Sequence, residues 1–396
     1  MLFSTTLALL STLSSISAMP TKRFITVLGT KDTTFQNLPV GRTAISRHDM
    51  SEIGRLASAV NLAYCSNEQQ LELPGPAQMG LQPGRHRRRS APNTESESHV
   101  VISSSDPEFE HLAQQVDMSW YISHSPSTQT LTLAFSSLSS VDDTLELLAS
   151  SPSDLNITSD EFLLPLPYWL FPPEVQPQTE PPRIHHSLIK PFETHGTPAL
   201  EALLDLLETP PLPLASHIPK NTPRDVLRSF TKHSATPLPI KTVEIIGHGL
   251  GAAVGLVAAI ALHLEVTGPA SQSYAVPLSP ISIRTTLFGL PRVGDESFAL
   301  WVDGLILSSP DTLQINRITS FADTIPHLPE RHLDLAHPSL GEIWIGADPR
   351  MGYACRSAQL GQESDQCSGG LALQQTSLLD HAGPFGGVWI GKASCQ

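Results

Sequence analysis

IIGHGLGAAVGLVAAIAL, residues Ile245 to Leu262, decides the fold. The residues KTVEII (Lys241–Ile246) read as a strand, and the alanine- and leucine-rich run from Leu250 reads as a buried helix. Between them, GHGLG (Gly247–Gly251) has the spacing G-x-S-x-G of a nucleophile elbow. In such a turn, small residues two before and two after the centre let strand and helix pass close together. Gly247 and Gly251 supply both. The centre, position 249, holds glycine where an elbow carries its attacking serine. The helix N-terminus beyond offers free N–H groups, beginning with Leu250, to a developing oxyanion.

Working outward, MSWYISH and QTLTLAF (Met118–His124, Gln129–Phe135) read as paired strands joined by the turn residues SPST. IRTTLFG and LQINRIT are two further strands, with ESFALWVDGLI as a helix between them. Helical spacing also marks MSEIGRLASAVNLAYC (Met50–Cys65), where Ser51 is the expected N-cap, and THGTPALEALLDLLE (Thr194–Glu208). Strands alternating with helices predict an α/β fold: a mostly parallel central sheet with helices on both faces. Ligands in such sheets bind at the carboxyl ends of strands, where the GHGLG turn lies.

The 396 residues are read as a signal peptide over 1–18 and one domain over 19–396, with loop excursions near 67–108, 150–183 and 209–240. The apolar start followed by Ser17, Ala18, Met19 and Pro20 has the form of a secretory signal, so a secreted protein is expected. No other stretch reads as a transmembrane segment; LGAAVGLVAAIALHL fits a core helix better. A net charge of −14 argues against a nucleic-acid partner, and RHRRR (Arg85–Arg89) reads as a solvated loop. The proline-rich 165–183 stretch carries an apolar group, Tyr168 to Phe171, that is either a contact surface or a cover for the core. Four cysteines in an exported chain predict two disulfides, with three pairings open. Asn156-Ile157-Thr158 is a potential glycan acceptor. No cluster has metal-ligand spacing, so neither a metal nor a cofactor is expected.

With these segments in hand, the chain resembles the secreted fungal-type (class 3) lipases of the α/β-hydrolase fold. NLAYC (Asn61–Cys65), RIHHSLIKPF (Arg183–Phe192), LFGLPRVGDESFA (Leu287–Ala299), NRITSFADTIPHLPE (Asn316–Glu330) and SLLDHAGPFGG (Ser377–Gly387) follow the family's order. The resemblance implies that Asp323 is the catalytic aspartate and His381 the general base. It also implies disulfides Cys65–Cys395 and Cys355–Cys367, the first closing a long loop worth roughly 4–5 kcal/mol in the chain-entropy model. His248, Asp380, Arg292 and His327 read as structural, and the family's lid maps near Val141–Leu155.

Two positions depart from the family pattern. Gly249 removes the nucleophile, a loss worth about 10⁶ in kcat in a serine hydrolase. The strand end F-R-G-[ST]-x-S becomes FSSLSS here, which aligns Leu138 with the oxyanion-hole donor; a one-residue slip would substitute Ser137 or Ser139. The implied function is a lipase-like protein of impaired catalysis that binds a lipid or ester and contacts a lipid interface. An active ester hydrolase and a secreted interaction protein working through the proline-rich loops are the alternatives.

Overall fold

Along the central strands, alternate side chains enter two separate cores. Leu131, Leu133 and Phe135 face one, with Val243 and Ile245 beside them; Ala134 and Ile246 face the other, with Phe288 and Ile318. This period of two is what a sheet covered on both faces requires. The computed structural model describes residues 38–65, 98–112, 114–166, 181–211, 239–268 and 281–395. The expected signal peptide, the RHRRR cluster and the Tyr168–Phe171 group lie outside these residues.

Among the described residues the main sheet has nine strands. They are β1 (Gly41–Ala44), β2 (His99–Ser103), β3 (Trp120–Ser125), β4 (Thr130–Phe135), β7 (Thr242–His248), β8 (Ser282–Phe288), β10 (Leu313–Ser320), β12 (Glu342–Ile345) and β13 (Gly352–Arg356). The spatial order is β1-β13-β12-β10-β8-β7-β4-β3-β2. β4, β7, β8, β10 and β12 run parallel, and the strands on either flank are antiparallel. A second, four-stranded sheet joins β5 (Leu163–Pro165), β6 (Arg183–His185), β9 (Gly294–Asp295) and β11 (Leu335–Ala336).

Helix Arg47–Leu62 covers one face, packing against β4 and β7. Helices Leu250–Thr267 and Thr197–Glu208 cover the other. Among the described residues Leu250–Thr267 is long and apolar enough to cross a membrane, yet every residue from Leu250 to His263 is buried in the protein. It is the core helix of the fold, which explains why it is apolar all round.

Three local expectations are revised. The first helix begins at Arg47, because Ser46 accepts the Asp49 N–H at 3.1 Å while the Asp49 carboxylate accepts the Ser46 N–H at 3.3 Å. That reciprocal capping box leaves Ser51 inside the helix. The 67–108 stretch contains strand β2, which completes the sheet edge against β3. In the 150–183 stretch, Ser151 and Thr158 cap two short helices, Pro152–Leu155 and Ser159–Phe162. Disulfides join Cys65 to Cys395 and Cys355 to Cys367, with sequence separations of 330 and 12. Asn61 reinforces the first by accepting the Gly391 N–H at 2.8 Å.

Candidate active site

The segments that follow β4, β7 and β10 leave the sheet at the same edge, since these strands are parallel. They carry Ser137, Gly249 and Asp323. The turn after β7 is tight: a Cβ on Gly247 would lie 2.4 Å from the Gly251 carbonyl oxygen, and one on Gly251 would lie 2.0 Å from the Ser136 oxygen. Only hydrogen fits at either position. Gly249 itself sits at φ 55°, ψ −124°, a conformation that costs residues with side chains about 1–3 kcal/mol and glycine little.

His381 and Asp323 face each other beside this turn. His381 Nδ1 is 3.0 Å from Asp323 Oδ2 and 3.1 Å from Oδ1. Asp323 Oδ1 also accepts the Ile325 N–H at 2.9 Å, and the Ser377 N–H donates to the Ala322 carbonyl at 2.7 Å. The second contact docks the turn Leu378–Ala382, which carries His381, onto the aspartate loop. Both residues are buried, Asp323 completely. With Nδ1 donating to the carboxylate, Nε2 is the proton acceptor, and it lies 2.9 Å from the point a Cβ on residue 249 would occupy. The arrangement can take a proton from a group held at the elbow.

Gly289 makes room for the pair. It has φ +56°, and a Cβ there would stand 2.7 Å from His381 Nδ1 and 2.8 Å from Asp323 Oδ2. Its role is invisible in the motif, where it reads as one more turn glycine.

Behind His381 lies a chain of hydrogen bonds. The Ser137 N–H donates to the Tyr64 hydroxyl at 2.8 Å, and that hydroxyl donates to His248 Nδ1 at 2.6 Å. His248 Nε2 donates to the His381 carbonyl at 2.9 Å. Tyr64 lies in the NLAYC segment, but nothing in that segment marks its hydroxyl as held at the site.

At the oxyanion side, the Leu250 N–H donates to Ser137 Oγ at 3.1 Å. Leu138 is half-buried and packs against the main core. The side chain nearest the elbow from this segment is therefore that of Ser137. Arg292 makes no contact with the pair: its guanidinium holds Glu363 at 2.6 Å. His327 Nδ1 lies 2.9 Å from the Asp323 carbonyl, bracing the loop from behind. The Asp380 carboxyl accepts from the Ala322 backbone next to Asp323, and burial together with the Asp323 charge raises its pKa against that bond. Glu342, Cys355 and Cys367 converge at metal-ligand spacing, but both sulfurs are spent in a disulfide and a single free ligand remains.

Comparison with known proteins gives the same frame. Residues 185–333 match the family model described as Lipase (class 3). The chain is 36% identical over 105 residues to the secreted mono- and diacylglycerol lipase LIP1 of Malassezia globosa, covering 26% of this chain and 29% of that one. It is 29% identical over 160 residues to a lipase of Rhizopus niveus, covering 40% and 35%. These matches thus span about a third of the relatives' own length. Among solved structures, lipase II from Rhizopus niveus superposes with a TM-score of 0.53 at 18% identity, covering 89% of this chain and 99% of that one. Lip2 lipase from Yarrowia lipolytica gives 0.55 at 17% identity, covering 89% and 98%. The fold is that of an α/β-hydrolase. Within that fold, residues 185–333 are similar to the class 3 lipases.

Proposed function

We propose that this chain is a secreted lipase-like protein that holds a lipid or ester beside Asp323 and His381 and hydrolyses it poorly or not at all. One observation carries the reading: an oriented aspartate–histidine pair aims Nε2 at an elbow position that has no side chain. Without an elbow hydroxyl, no acyl-enzyme forms at 249, and positioned nucleophilic attack is what gives such a site its rate. Leu250 and Leu138 are the proposed remnants of the oxyanion hole.

A lipid ligand suits the surroundings of the histidine. Leu379, two residues before His381, is 80% exposed, and its neighbour Leu378 is also open to solvent. Exposed leucines next to the histidine suit acyl chains or a lipid surface better than a polar substrate. Export agrees with the two disulfides and with the exposed Asn156, the proposed glycan acceptor.

The test is hydrolysis of 4-nitrophenyl butyrate and palmitate by the purified chain and by His381→Ala. Both are expected at background. Turnover that His381→Ala abolishes would overturn the impaired-catalysis reading. An ether-linked monoacylglycerol should bind saturably in calorimetry; absence of binding would overturn the retained ligand site.

A further inference from the structure

Position 249 is not simply short of a side chain, because its space is taken. A Cβ built on Gly249 would lie 2.7 Å from Ser137 Oγ and 3.0 Å from Ser137 Cβ. The first is a distance real Cβ atoms do not show and the second is tighter than usual, with His381 Nε2 also 2.9 Å from the same point. Ser137 is buried, its N–H is tied to Tyr64, and its Oγ accepts the Leu250 N–H.

We infer that Ser137 is a plug: its hydroxyl fills the volume of an elbow side chain and occupies the Leu250 N–H that would otherwise face a substrate oxyanion. Serine at 137 therefore works against a side chain at 249, in addition to the crowding from His381 Nε2. The inference rests on the proposed loss of catalysis at this elbow and explains how the loss is locked in. Two defects act together here, a missing nucleophile and an oxyanion donor already in use. Removing one such donor alone costs about 10²–10³ in kcat.

The coupling separates this reading from a site that merely lacks its serine. Four proteins are compared: the original chain, Ser137→Gly, Gly249→Ser and the double variant Ser137→Gly/Gly249→Ser. Hydrolysis of 4-nitrophenyl butyrate should stay at background for the first three. It should rise at least about 100-fold in the double variant, corresponding to one recovered donor. Gly249→Ser as active as the double variant would overturn the plug while leaving the proposed function standing.

Stability supplies a readout that needs no activity. Gly249→Ala should lower the thermal midpoint, and adding Ser137→Gly should restore part of that loss. No restoration would overturn the collision. Treatment of the original chain with a fluorophosphonate followed by mass spectrometry gives a third arm. Modification of Ser137 would show a displaced nucleophile and overturn the plug; an unmodified Ser137 is the expected result.

Discussion

His248 stacks on His381 with ring centroids 4.3 Å apart and donates its Nε2 proton to the carbonyl oxygen of the same residue. Its other nitrogen accepts from Tyr64, so the ring is fully used as a neutral imidazole. Burial, with the nearby His381 charge, holds its pKa well below the usual histidine value.

That shift predicts a pH dependence. The unfolded chain takes up the proton near the ordinary histidine pKa of about 6.5, and the folded chain does not. Stability is therefore complete above that value and falls as pH drops below it. Each such histidine contributes about 1.4 kcal/mol per pH unit while only the unfolded form is protonated. His337 is held low by burial and the Arg317 charge, and His185 is lowered to about 3 by burial and the His186 charge; both add to the slope. Urea midpoints between pH 8 and 5 should decline, and His248→Phe should show a slope shallower by about one proton. An unchanged slope would remove His248 from the account.

The aspartate–histidine pair matters for turnover only once a hydroxyl is in place. In the Ser137→Gly/Gly249→Ser background, Asp323→Asn should lower kcat by about 10⁴, because the amide favours the wrong imidazole tautomer. In the original chain the same substitution should leave ester hydrolysis at background. Equal effects in both backgrounds would mean that another group does the chemistry.

Arg292 and Glu363 form a nearly buried ion pair, and Arg292 also donates to the carbonyls of His327 and Pro329. Burial works to raise the Glu363 pKa, but hydrogen bonds from Arg292 and Arg331 and the His337 and Arg292 charges hold it well below normal. Arg292→Met leaves the buried Glu363 with the half-exposed Arg331 as its remaining guanidinium partner and should destabilise the fold by up to about 3–5 kcal/mol in denaturant titration. A loss under about 1 kcal/mol would show that water reaches the pair.

Two glycines give opposite outcomes under the same substitution. Gly251→Ala drives a methyl into the Ser136 carbonyl and should prevent soluble expression of folded protein. Gly304 lies exposed within helix Glu296–Ser308, with nothing within 4 Å of its added Cβ. Gly304→Ala should stabilise by about 0.5–1 kcal/mol through helix propensity, read as a raised thermal midpoint.

The strands around the elbow were legible because each is an apolar β-branched run with a clear boundary. β12 and β13 were not, since GEIWI and MGYACR are short and interrupted by glycine and charge. The partnership of Asp323 with His381 could be proposed from ordered motifs spread over the chain. The contacts of Tyr64 and Gly289 with the site could not, and Ser137 was reachable only as the one-residue slip from Leu138. Their roles depend on distances between segments up to 184 residues apart in sequence, as for Tyr64 and His248. The helix start moved from Ser51 to Ser46 because the capping partner, Asp49, breaks the apolar pattern that marks the helix.

The bridge from Cys65 to Cys395 bears on the order in which this protein is made. Tyr64 precedes the early cysteine, and Asn61 is pinned to Gly391 one helical turn away. During synthesis the first helix and its tyrosine emerge long before the segment that fixes them. The bonding chain from Tyr64 to His381 can close only once the segment carrying His381 has been made. The bridge from Cys65 to Cys395 then ties the first helix to a segment far downstream of it.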